Sequence, residues 1–380
     1  MLPLFVWHNK VLNISRLIVR SLACVCALAN LPAFCSKLLL IKVNEMVANK
    51  NLVLKHPKVA VITGSSVGIG FETCLLFARN GIHTYATMRD LVKADLIKNI
   101  AEKEKLPIQV IQMDIDKDHS VVDAFEEICE DNEKRGVGID ILVNNAGFGL
   151  FGALEDLLID DIKKQFETNL FGAIRTIQQI LPVMRNQRSG IIVNISSLAG
   201  YIGFPASSAY VSTKFALEGL SESLAYEIEP YGISVVLIEP GVISTSFVKH
   251  IILPYNTLPI SSSLLPSSSP SSSLTAASSS LSKDSTKFSD KLKSREITKY
   301  ANVVERFLSH YYPAMRNAPD PKEVAKVVLE SVEASIDSAR QGDHNFFRYP
   351  VGEDAKLYAD AKRKMSDQEL HSFVAKRTLI

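Results

Sequence analysis

The chain has no C-x-x-C pair and no H-E-x-x-H run, and its eight histidines are scattered. Neither a zinc knuckle nor a metalloprotease helix can be built from such spacing. The five cysteines, Cys24, Cys26, Cys35, Cys74 and Cys129, show no pairing pattern. That argues against a disulfide framework and for a reducing, intracellular, metal-free protein. Charge of one sign is missing too. With 42 Lys+Arg against 41 Asp+Glu the net charge is +1, so a basic nucleic-acid footprint has no support. What remains is 380 residues, 47% hydrophobic and 22% charged, a globular composition with room for one large domain or two smaller ones.

Three segments differ from the rest. Residues 1–45 are apolar with scattered cations, and "SLACVCALANLPAFCS" lies between Arg20 and Lys37. Asn30 and Pro32 interrupt it, and it is shorter than the ~20 residues a membrane-spanning helix needs. Lys10, Arg16 and Arg20 precede it, as they would a signal-peptide core. An interfacial anchor, a packed extension and a true start at Met46 are the other readings. The expected location is therefore cytoplasmic, or membrane-associated if this segment is translated. Serine dominates residues 261–290. Such a tract buries too little apolar surface to offset its ordering entropy, so a disordered insertion is expected over 256–295. In the remaining stretch, 296–380, the tail "FFRYPVGEDAKLYADAKRK" reads as a short strand or turn followed by a polar helix.

Between these segments, apolar β-branched runs alternate with helical patterns. Strands are expected at 58–64, at "HTYATMRD", and at 108–115, 139–147, 190–197 and 233–241. The pattern around "DIKKQFETNLFGAIRTIQQILPVMRNQ" predicts a long helix interrupted or ended near Pro182. Asp320, Pro321 and Glu323 have capping-box spacing at the start of a late helix. Strands separated by crossover helices make a parallel sheet covered on both faces, an α/β doubly wound Rossmann-type fold with a core over 57–255. Ligands of such folds bind at the carboxyl ends of the strands.

"TGSSVGIG" (63–70) follows the first strand and opens a helix. Gly64, Gly68 and Gly70 let backbone pass close to a pyrophosphate, whose charge suits a helix N-terminus. The second strand ends in "YATMRD". With Met88 last, no carboxylate sits at the ribose position, and the guanidinium of Arg89 matches a 2′-phosphate. NADP(H) is therefore expected over NAD(H), unless Arg89 merely pairs with Asp90. On the helix "SSAYVSTKFALEGL", Tyr210 and Lys214 are four apart and share a face. A nearby ammonium stabilises a phenolate and makes tyrosine usable as an acid/base.

"TGSSVGIG", "NNAG" (144–147), Asn169 in "FETNLFG", Ser197 in "VNISSLAG", "YVSTK" (210–214) and "EPGVIST" (239–245) stand in one order. Together they resemble the short-chain dehydrogenase/reductase family. "YATMRDL", "FGLFGALEDL" and "KFALEGLSESLA" are most similar to its 17β-hydroxysteroid and retinol dehydrogenase-like branch. The resemblance implies a hydride-transferring enzyme with Tyr210 as acid/base, Lys214 on the phenol and the nicotinamide ribose, and Ser197, rather than Ser196, on the substrate oxygen. It implies a water-binding role for Asn169, with a helix-distorting structural role as the alternative. It also implies cofactor contacts from Gly64, Ser66, Gly68, Ile69, Gly70, Asp114, Ile115, Ile243 and Thr245. Asn145 either joins them or only braces the sheet. The segment after "EPG" would be the substrate lid. With "GFGLFG" (147–152) and "YIGFP" (201–205) it suggests a pocket for a lipophilic alcohol or ketone. A homo-oligomer and no nucleic-acid partner are further implications. A non-enzymatic NADP sensor or scaffold is the competing class.

Overall fold

The computed structural model describes residues 58–245, 299–341 and 346–378. The N-terminal extension, the serine tract and most of the expected lid lie outside them. Among the described residues no helix is long and apolar enough to cross a membrane.

Seven parallel strands form one sheet: β1 (Val59–Ile62), β2 (His83–Met88), β3 (Ile108–Gln112), β4 (Ile141–Asn144), β5 (Gly190–Ile195), β6 (Ile233–Pro240) and β7 (Phe346–Val351). Their spatial order is β3-β2-β1-β4-β5-β6-β7, so the direction of winding reverses between β1 and β4. A crevice opens at the carboxyl ends there. All eight residues of β6 and all four of β1 are buried. That is why these segments read as unbroken apolar runs rather than alternating ones.

Helices cover both faces. On one lie α1 (Gly68–Arg79) and α2 (Asp95–Glu104). The other carries α3 (Asp118–Arg135), α4 (Ile159–Phe166), α5 (Gly172–Gln187) and α6 (Ser208–Ile228). After β6 come α7 (Ala301–Arg316), α8 (Pro321–Arg340), α9 (Glu353–Lys364) and α10 (Asp367–Thr378). Phe71, Cys74 and Phe77 of α1 pack with Val324, Val328 and Val332 of α8 in the first core layer. Phe125, Ile128, Ile180, Met184 and Leu224 fill the layer on the opposite face.

Three local outcomes refine the expectations. Pro182 does not interrupt or end its helix: α5 runs through it, because flanking Ile180 and Met184 are fully buried and packing outweighs the lost hydrogen bond. The irregularity falls earlier, in a π turn at Glu167–Phe171 between α4 and α5. At α8 the Asp320 side chain accepts from Lys322 N at 2.9 Å, but Glu323 pairs with Lys326 instead of closing the capping box. The sheet also takes β7 from beyond residue 255, so the tail's "short strand" is part of the core.

Candidate active site

The glycine turn after β1 is built by close approach. Gly64 has φ +67°, and a Cβ there would come within 2.8 Å of Ala146 Cα. Asn145 fixes the turn from β4: its Nδ2 donates to Thr63 O (2.9 Å) and Gly64 O (3.1 Å). A Cβ on Gly70 would strike that same Nδ2, so Gly70 serves the packing of turn against β4. Among the described residues no side chain caps α1, and no acid sits in its first turn. Its N-terminal amides are left for an anionic ligand.

A cavity of about 740 Å³ runs along the carboxyl ends of the strands. Gly64, Ser66, Gly68, Ile69, Arg89, Asp114, Ile115, Asn145, Ile243 and Thr245 line it, together with Ser197, Tyr210 and Lys214. Gly70 and Asn169 do not. β2 ends at Met88, two residues short of the expected strand "HTYATMRD", and exposed Arg89 follows. Asp90 also lines the cavity, and its carboxylate accepts from Val92 N at 3.1 Å. These residues fit a dinucleotide.

At the far end Tyr210 is hydrogen-bonded to Ser197, whose Oγ also accepts from Ala199 N at 3.1 Å. Burial pushes the Tyr210 phenol up to about 12, against the Ser197 bond. Lys214 Nζ lies 5.9 Å from the Tyr210 ring centroid and donates to Ile195 O at 2.9 Å, at the end of β5. Burial pulls the Lys214 ammonium down to about 8, and Glu218 opposes it. The two side chains do share a helix face, but desolvation, not the ammonium, dominates the phenol. Ser196 Oγ is buried on the other side, toward Glu218. Asn169 sits in the π turn, buried, with its amide committed. It accepts from Phe148 N (3.0 Å) and donates to Phe148 O (2.9 Å) and Thr213 Oγ1 (3.1 Å), bracing the 147–148 loop against α6.

A model of the family described as short chain dehydrogenase matches residues 58–255. The chain belongs to that family. It is thus an oxidoreductase acting on CH–OH or C=O groups. It is 32% identical to the uncharacterized oxidoreductase YusZ of Bacillus subtilis over 304 residues, covering 80% of this chain and 91% of that one. It is 40% identical to human retinol dehydrogenase 8 over 195 residues, covering 50% of this chain and 60% of that one. A short-chain dehydrogenase structure from Streptomyces avermitilis superposes with a TM-score of 0.60 at 25% identity, covering 86% of this chain and all of that one. The branch is the 17β-hydroxysteroid and retinol dehydrogenase-like one.

The short-chain dehydrogenase motifs left one wall of the cavity undescribed. Phe148, Phe151 and Phe204 line it, from the loops expected to do so. Phe307, Tyr311 and Met315 of α7 and Tyr358 of α9 line it as well, and the motifs do not announce them. The available signal was the spacing of Val304, Phe307, Leu308, Tyr311 and Met315, an amphipathic stripe whose target only the fold reveals.

Proposed function

We propose that this enzyme is an NADP(H)-preferring oxidoreductase that reduces lipophilic ketones or aldehydes, and oxidises the matching alcohols. Bound NADP(H) would supply or accept the hydride at the substrate carbon. Tyr210 gives its phenolic proton to the carbonyl oxygen during reduction, and takes it back in the reverse direction. Ser197 shares a hydrogen bond with that phenol and offers a preorganised donor to the same oxygen. Lys214 holds the nicotinamide ribose and lends positive charge behind the phenol. Asn169 fixes the loop that faces them. A phenol pushed up to about 12 carries its proton throughout the neutral range, the form that acts as the acid in reduction.

The observation that carries this reading is the convergence of Ser197, Tyr210 and Lys214 on one cavity whose other wall is aromatic. Phe151, Phe204, Phe307, Tyr311 and Tyr358 leave space suited to an apolar substrate with one polar end. Arg89 at the rim, with Asp90 committed to Val92, supports NADP(H) over NAD(H). Exposed Phe215 and Tyr226 on α6 support a homo-oligomer. The test is to incubate purified enzyme with long-chain, steroid-like and retinoid-like carbonyls and either NADPH or NADH. NADPH oxidation by the parent but not by Tyr210→Phe supports the proposal. Equal turnover by both proteins would overturn the acid/base assignment.

A further inference from the structure

Lys214 is a buried ammonium that donates to a neutral carbonyl, Ile195 O at 2.9 Å. A buried cation needs a counter-charge. Four residues on, along the same face of α6, stands Glu218, itself 5% exposed. Arg348, from the middle of β7, binds Glu218 Oε2 and reaches Glu239 Oε1 of β6 at 3.2 Å and Glu222 Oε2 at 2.9 Å. The Glu218 carboxylate also takes a side-chain hydrogen bond from Ser196. Both crowd against Gly200, where a Cβ would meet each within 2.8 Å. Burial pushes the Glu218 carboxyl up, and Ser196, Arg348 and Lys214 oppose it, so a charge held there depends on those partners.

We propose that Glu218, clamped by Arg348, is a positioning residue: its carboxylate is the counter-charge that keeps Lys214 an ammonium inside the buried site. It acts through Lys214, so the inference rests on the role given to Lys214 above. Glu218 acts on two cations, Lys214 and Arg348, and Glu239 shares Arg348 with it.

Other charged groups act on the same cluster. Glu222 on α6, Tyr201 after β5, and Asp354 and Arg363 on α9 surround it. Burial and Glu218 push Glu239 up to about 7, and Arg348 opposes that rise. Glu218 in turn opposes the downward pull of burial on Lys214.

The test reads NADPH affinity by its fluorescence between pH 6 and 10 (roughly two units either side of the Lys214 titration), with no substrate needed. The parent should lose affinity as Lys214 deprotonates near about 8, and Lys214→Met should show no such fall. Glu218→Gln keeps the shape and an acceptor for Arg348 but removes the charge. Its fall should move to lower pH by about one unit. Glu218→Asp, which restores the charge, should stay near the parent. Arg348→Met removes the clamp that keeps Glu218 charged, so its fall should also move to lower pH. An unmoved fall in both Glu218→Gln and Arg348→Met would overturn the proposal, as would Glu218→Asp behaving like Glu218→Gln. If the parent shows no fall that Lys214→Met abolishes, the role of Lys214 itself is wrong, which is a separate failure.

Discussion

Phe151 stands edge-on to Tyr210, with ring centroids 5.7 Å apart at 76°. The same ring meets Phe307 at 5.3 Å and Tyr311 at 5.4 Å, so one side chain ties the reactive helix to α7. Phe151 is buried, and truncating it opens a cavity at that junction. Phe151→Ala should cost about 3–5 kcal/mol of stability in denaturant unfolding, while Phe151→Leu should cost much less. Turnover should fall in Phe151→Ala as the phenol loses its wall. Unchanged unfolding would mean that α7 does not pack there.

Tyr210→Phe keeps the ring and its contact with Phe151 and removes only the hydroxyl. NADP(H) affinity and melting temperature should stay near those of the parent. Turnover on any accepted carbonyl should drop by ~10²–10⁴, the usual loss for a general acid/base. Steady-state kinetics on matched protein batches decide it.

Cofactor choice is tested at Arg89. A charge-assisted contact is worth roughly 1.5–3 kcal/mol, so NADPH should bind about tenfold to a hundredfold tighter than NADH. Arg89→Ala should remove most of that ratio by weakening NADPH alone. A parent protein with equal affinity for both cofactors would deny the preference.

The Arg348 cluster also marks the stability profile. Glu239 normally titrates at 4.5 but stands at about 7 in the fold, raised by burial and Glu218. Between those values the folded protein holds a proton that the unfolded chain has lost. This group's contribution is therefore full below about 4.5 and is lost as pH rises to about 7. Relative to Glu239→Gln, the parent should lose on the order of 3 kcal/mol across that window. Urea unfolding of both proteins at several pH values measures it, and a constant difference would contradict the assignment.

The parallel strands were legible because two-sided burial writes itself as apolar runs such as "VAVI" and "ISVVLIEP". The cofactor end was legible for a similar reason. Gly64 and Asn145 answer constraints local to two strand ends, while β2 closes at Met88, ahead of the Arg89 and Asp90 that the expected strand includes. β7 was harder: "FFRYPV" carries Pro350, which a central strand would exclude and a sheet margin tolerates. The π turn around Asn169 leaves no mark on apolar spacing, and the pull of Pro182 toward a break was outweighed by Ile180 and Met184 beneath it. Spacing also put Lys214 beside Tyr210 without saying that its ammonium reaches the Ile195 carbonyl. That bond depends on where β5 ends against α6, a tertiary fact.

Because β7 pairs along β6 from Val235↔Phe346 to Pro240↔Val351, the sheet is finished only when the last part of the chain has been made. Until then β6 is a bare, largely apolar margin, a template for pairing with another chain. Bringing the two strands together across the long connection that carries α7 and α8 adds an entropic cost that grows only slowly with its length. A ribosome releasing this protein early, or a protease cutting ahead of Phe346, would therefore yield a sticky fragment rather than a smaller working enzyme. Without β7 the sheet margin stays open, and Arg348 is missing from the acids buried beside it.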